Sequence, residues 1–434
     1  MSDAPGLLRA LRRRDLVGIM LNAVIGAGML AAPARVFDLA GGWSFALLGL
    51  AALLIMPLIL VFADLGSRFT STGGPYLYAR AALPGWVAFA VGWMLWISQA
   101  LAIATLCNLL ISYLAGFVPA VADGAARAGV IVALGVVMTS IVLWGIRQSA
   151  TGNNALIIIK AAFVVGFVAA GIGFVNADRF TITTPLPDGP TVMQAILIYL
   201  FAYTGFERAG VLAGETRDPR RDVPAAMFAS IAAATAAYAG VLFVCVGVLD
   251  NPAATDRPLA EVGAQLFGPA GQVAVSAGAI AVILGTILSV IIGMPRLLLA
   301  LAEQGQLPAA LGRIHPRTQT PYVAILVSSG VAFAAALVSD LLGALTISTA
   351  ARMIAYILCC VALWRMAGQA EAPAAQFNLP ARRPVSLITA ALFAGVLIFA
   401  ATKELPMLAA VLAVGFVLLA ISRTATSRGP RSSP

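Results

Sequence analysis

LNAVIGAGMLAAP, residues 21–33, decides how this chain is read. It sits inside the first apolar segment, about Asp15 to Phe37, which would otherwise be an ordinary membrane-spanning helix. Gly26, Ala27 and Gly28 fall near the middle of that segment and Pro33 follows one to two turns later, so the helix is expected to come apart at mid-depth. Backbone N–H and C=O groups freed there have no partner in lipid and are tolerated only where they line a protein-enclosed cavity. A helix broken at the midplane also turns the positive end of one half and the negative end of the other toward the gap, which suits a ligand carrying both a carboxylate and an ammonium. The glycines have a plainer reading too: they let a neighbouring helix approach closely.

Working outward, composition sets the class. Apolar residues make up 61% of the chain, charged residues 10%, and mean hydropathy is +0.97. A soluble globule could not keep that much hydrocarbon from water, so an integral membrane protein is expected. A net charge of +9 and a pI near 9.9 raise nucleic acid as a partner. The basic residues, however, come in small clusters between apolar stretches, the pattern of headgroup contacts and topology signals, so the partner expected is the lipid bilayer and no nucleic acid. Four cysteines, Cys107, Cys245, Cys359 and Cys360, lie in apolar stretches without metal-type spacing, so no disulfide, metal or cofactor is expected. LLRALRRRDLVGIML, residues 7–21, puts a basic cluster ahead of a span long enough to stay in the membrane, so no cleaved signal is expected.

Apolar windows of membrane length fall at roughly 16–37, 43–66, 85–114, 129–146, 154–175, 191–213, 225–249, 271–300, 322–340, 343–366, 385–401 and 405–422, twelve spans in all. The third and eighth exceed what a bilayer requires, so they are expected to tilt or to continue beyond it. With a cytoplasmic N-terminus, one side collects eighteen basic residues, among them Arg12, Arg13, Arg14, Arg217, Arg220 and Arg221. The other collects five: Arg35, Arg127, Arg179, Arg257 and Lys403. By the positive-inside rule both termini are cytoplasmic, and in a bacterial cell the membrane is the inner one.

Four basic residues remain within or at the ends of spans: Lys160, Arg208, Arg296 and Arg352. Each needs a partner, a watery cavity or a lost proton. The arginines read first as snorkelling or structural pairs. Lys160 is one of two lysines in a chain that otherwise uses arginine, and lysine gives up its proton when desolvated whereas arginine does not. It therefore reads as a proton-binding switch, against the alternative of snorkelling to the cytoplasmic edge. A second break is expected in the sixth span, AILIYLFAYTGFERAGVLAGE, at Gly205. Spans one and six are five apart, and glycine-interrupted segments at corresponding positions of two halves point to the binding site of an inverted-repeat transporter.

Several stretches now match together: NAVIGAGMLAAP in span one, ADLGSRFTSTGGPYLYARAALP (63–84), NNALIIIKAAFVV (153–165), FAYTGFERAGVLAGETRDPRRDVPAA (201–226) and GMPRLLLALAEQGQLPAALGRIHPRTQTPYVAI (293–325). On these the chain resembles the amino acid, polyamine and organocation permease superfamily, with its leucine-transporter-like fold. The resemblance implies an all-α integral membrane protein of twelve transmembrane helices, a 5+5 inverted repeat with discontinuous helices 1 and 6, and two C-terminal helices. The segments are then 1–14, 15–175, 191–366, 385–422 and 423–434. It also implies that the N–H groups of Ile25, Gly26, Ala27 and Gly28 bind a substrate carboxylate and that Phe201, Ala202, Tyr203, Thr204 and Gly205 offer carbonyls to its amino group, with Phe201 as a lid. Lys160 corresponds to a lysine whose ammonium stands where sodium-coupled relatives hold an ion. Arg208 departs from the family pattern, and a local ion pair with Glu207 is expected there. Thr286 and Ser289 leave sodium coupling open.

The expected function is a secondary transporter for an amino acid, proton-coupled through Lys160, working by alternating access as a monomer or weak homodimer. An exchanger without ion coupling is the alternative, and a substrate-gated channel or receptor stands behind it. An enzyme is not expected: the spans hold one histidine at most and no paired carboxylates at helical spacing. The linkers 215–224 and 303–321 carry charges able to close the inner mouth through salt bridges, or simply to mark topology, and His315 reads as a surface or capping residue. Pocket walls from Trp93, Trp96 and Gln99 and from spans eight and ten are expected to be mostly apolar, which favours a neutral or hydrophobic amino acid.

Overall fold

The computed structural model describes residues 11–71, 73–144, 146–182, 185–369 and 372–427. Most of the expected N-terminal segment and tail, with Arg9, Arg428 and Arg431, lies outside the described residues. Among those described, helices carry nearly all the regular structure, and Leu11 with Thr216 forms one isolated bridge.

The first apolar window holds two helices, α1 (Arg13–Val24) and α2 (Ala27–Ala40). The Asp15 carboxylate accepts the backbone N–H of Arg12 at 2.9 Å, which starts α1. Ile25 (φ −73°, ψ 96°) and Gly26 (φ −152°, ψ −138°) then leave helical geometry. The break falls at this pair and not at Pro33, which α2 absorbs. There follow α3 (Ser44–Arg68), the short α4 (Pro75–Ala82), α5 (Gly85–Ala115), α6 (Gly124–Leu143) and α7 (Ile146–Gly171).

The sixth window repeats the interruption. α8 (Gly189–Ala202) begins with Asp188 accepting the Thr191 N–H at 3.0 Å, and it stops at a turn over residues 203–207 before α9 (Arg208–Val211). Gly205 sits in that turn at φ +118°, a conformation that side chains disfavour. The rest is α10 (Pro219–Val248), α11 (Pro258–Gly293), α12 (Pro295–Glu303), α13 (Tyr322–Val338), α14 (Leu341–Met366), α15 (Arg382–Ala400) and α16 (Leu405–Ser427). The expected eighth window, 271–300, is in fact divided at Met294 between α11 and α12, and α11 itself kinks at Phe267 and Gly268. Among the described residues, nine helical stretches are long and apolar enough to cross a membrane, with α8 and α13 as shorter apolar helices.

Burial orders these helices around α5. In its most apolar stretch 94% of residues are buried, against 22% in those of α6, α7 and α16, whose outer faces carry exposed residues such as Val136, Val165 and Val417. α14 lies mainly along α5 and α15, α1 and α3 along α10, and α2 along α8. Early and late parts of the chain are therefore interleaved, and this brings the two interrupted helices side by side. The linker charges also meet partners: Asp222 pairs with Arg13 at 2.9 Å and Glu215 stands 3.9 Å from Arg296.

Candidate functional site

The two breaks touch. A Cβ added to Gly28 would lie 2.4 Å from Cα of Ala202, and one on Gly205 would lie 3.1 Å from the carbonyl carbon of Ala23. Both glycines are thus required by close approach, as the packing reading of the first break anticipated, and they flank freed peptide groups as well. The Tyr238 hydroxyl, from α10, stands 2.8 Å from the Val24 carbonyl and 2.7 Å from that of Ala202. It has one proton for these two acceptors, so a single side chain holds the ends of α1 and α8 together.

Lys160 stands directly behind the first break, only 2% exposed. Its ammonium donates to the Asn22 carbonyl at 2.9 Å, the Ile25 carbonyl at 3.0 Å and Thr286 Oγ1 at 2.6 Å, and Thr286 in turn donates to the Val282 carbonyl at 2.8 Å. Three donors meet three oxygens, so α7, the α1–α2 break and α11 are fastened through one nitrogen. Lys160 is buried at the break and does not reach the cytoplasmic edge.

The second break is held by a different network. Glu207 does not form the expected local pair with Arg208. Its Oε1 accepts from Arg352 Nη1 at 2.6 Å, and its Oε2 accepts the Gly205 N–H at 2.9 Å and the Tyr356 hydroxyl at 2.8 Å. Arg352 Nε donates to Ser98 Oγ at 2.8 Å, which carries the network into α5. Both charges are almost fully buried, where an ion pair persists only with its remaining hydrogen bonds satisfied. Arg208 turns elsewhere: Nη1 donates to Ser289 Oγ at 3.1 Å, and Nε has no hydrogen-bond partner.

A cavity of about 30 Å³ lies between the breaks. Of the residues expected from sequence, Gly26, Ala27, Gly28, Phe201, Thr204 and Gly205 line it. Ile25 gives its carbonyl to Lys160, Ala202 packs on Gly28, and Tyr203 is buried with its hydroxyl accepting from Thr235 at 3.0 Å. The expected α5 wall is wrong in its residues. Trp93 donates to the Val411 carbonyl and Trp96 to Ser328, both away from the cavity, and α5 contributes Ala102 and Leu106 instead. The walls are mostly apolar, as expected, but Arg208 and Arg352 line them as well. Sequence reasoning gave both arginines structural roles and missed Tyr238; an opposite-charge pair within the spans, Glu207 and Arg352, was the available signal.

A many-helix membrane protein with two interrupted helices meeting at a small cavity that charged as well as apolar residues line belongs to the class of membrane transporters. The profile of the amino acid permease family matches residues 11–424, and the chain belongs to that family. A transporter of Mycobacterium tuberculosis is 29% identical to it over 432 residues, covering 96% of this chain and 93% of the relative. A branched-chain amino acid permease of Bacillus subtilis is 27% identical over 345 residues, covering 74% and 73%. A serine/threonine exchanger of the same organism is 27% identical over 333 residues, covering 74% and 75%.

Proposed function

We propose that this permease moves amino acids across the cell membrane by alternating access, with substrate held in the cavity between the two breaks and a proton carried on Lys160. The observation that carries the reading is the Lys160 ammonium bound to the Asn22 and Ile25 carbonyls, at the turn whose next residues, Gly26, Ala27 and Gly28, line the cavity. Gain or loss of that proton changes how many donors hold the turn, so the lysine's charge and the shape of the carboxylate site are mechanically linked. The oxygens around it, two carbonyls and a hydroxyl, are also the kind a sodium ion takes; a protonated amine among them supports proton over sodium. Residues 15–175 and 191–366 serve as the two five-helix repeats of a twelve-span protein with cytoplasmic termini, in the inner membrane of a bacterial cell, and one chain suffices for the site. The apolar part of the lining supports a neutral or hydrophobic substrate, and Arg208 and Arg352 are the charged exceptions to it.

Uptake of a labelled amino acid mixture into proteoliposomes tests the proposal. Saturable uptake, faster with an acidic exterior, is expected. Saturable exchange indifferent to the pH gradient would point to an uncoupled exchanger, and unsaturable current would point to a channel; either result contradicts proton-coupled transport.

A further inference from the structure

We infer that Arg208 is the subsite for a second carboxylate, so that the substrate is an amino acid with an acidic side chain; this rests on the cavity proposed above being the substrate site. The argument is an inventory of the charges around that cavity. Glu207 has both oxygens engaged, one by Arg352 and the other by Gly205 and Tyr356. Lys160 is satisfied by neutral oxygens behind the break. Arg208 alone lines the cavity with no carboxylate partner among the described residues: it appears in no ion pair there, its Nη1 has only the neutral Ser289 hydroxyl, and its Nε is buried with no hydrogen-bond partner.

An arginine cannot shed its proton to escape this position, so its charge persists through the transport cycle. A neutral zwitterion brings no net charge and leaves that cation without a counter-charge in a low-dielectric space, whereas a substrate of net charge −1 supplies it with a carboxylate. The guanidinium offers a planar fork that fits a carboxylate bidentately, and Nε, now without a partner, is one of its prongs. Gly26, Ala27 and Gly28 on one wall and Arg208 on another line the same cavity of about 30 Å³, a space that holds only a water or two. An α-carboxylate at the first wall therefore leaves a side-chain carboxylate within reach of the second once the long arginine side chain, held by one neutral hydrogen bond, swings aside.

The test is competition in proteoliposomes of the full-length protein between labelled L-glutamate and labelled L-leucine, with L-aspartate and the amine-free diacid glutarate as unlabelled competitors. Glutamate and aspartate are expected to displace leucine, and glutarate to be weak because it lacks the ammonium. R208Q is expected to lower the glutamate-to-leucine ratio by at least about 30-fold, as losing one partner of a desolvated charge pair does. R208K, which keeps the charge and loses the fork, is expected to fall between. Saturable leucine uptake untouched by glutamate in the unaltered protein overturns the inference and leaves the parent proposal standing, and this holds even where R208Q does not fold. An unchanged glutamate-to-leucine ratio in R208Q overturns it as well. Absence of saturable uptake of any amino acid overturns both.

Discussion

Lys160 places all three of its donors on oxygens that an unbroken first helix would not present together, and Glu207 places both of its oxygens on donors from the second break and from α14. At this scale each interruption is tied to a buried ion, Lys160 at the first and Glu207, paired with Arg352, at the second. Replacing Lys160 by Ala removes the proposed proton carrier and leaves two carbonyls without their donor. Uptake by that variant should no longer respond to the pH gradient, measured against the unaltered protein reconstituted at equal density; a retained response would remove Lys160 from the coupling. Replacing Glu207 by Gln strands Arg352 as a buried unpaired charge, at a cost of about 3–5 kcal/mol. The melting temperature in detergent should fall clearly, and the double variant E207Q/R352M should recover part of the loss. Equal melting of single and double variants would mean that the pair carries no such energy.

The elements show why these residues meet. α1 and α8 end against each other because Gly28 admits Ala202, Gly205 admits Ala23, and Tyr238 spans the gap between two carbonyls. Gly28→Ala drives a methyl into backbone at 2.4 Å, an overpacking worth about 1–3 kcal/mol, and should abolish uptake while lowering the melting temperature. Tyr238→Phe keeps the ring and loses the hydroxyl, a change of about 1 kcal/mol in stability. Its larger effect should be on maximal uptake rate, since the two helix ends lose their shared donor; a variant with normal rate would show the bridge to be incidental. Both breaks were legible in the sequence, because Gly26 and Gly205 stand at corresponding places in two apolar windows, and the positive φ of Gly205 is what the structure adds. The face of α5 was not legible. A helix buried all round has no polar side to orient it, so nothing in its residue order told Trp93 and Trp96 from Ala102 and Leu106. The pairing of Glu207 was hidden for another reason: adjacency favoured Arg208, and the true partner lies in α14, brought near only by packing.

Across the whole molecule, α5 is the buried axis and α6, α7 and α16 are the most exposed of the apolar helices, while helices from the two ends of the chain interleave around a small cavity of about 30 Å³. A cavity that small must widen for an amino acid to enter; Arg13–Asp222 joins the segments flanking the first and sixth windows, and Arg296–Glu215 ties α12 to the segment after the sixth. The hydropathy windows anticipated most helices, yet the division at Met294 and the kink at Gly268 escaped them, since a hydropathy average does not register a local turn in an apolar run. The central claim is that both breaks form one substrate site. It is tested most directly by placing a cysteine at Thr204, which lines the cavity in a protein whose four native cysteines are all buried, and timing its reaction with a small thiol reagent. An equimolar mixture of the proteinogenic amino acids should slow that reaction at Thr204→Cys. A rate that stays the same with and without the mixture would contradict the account.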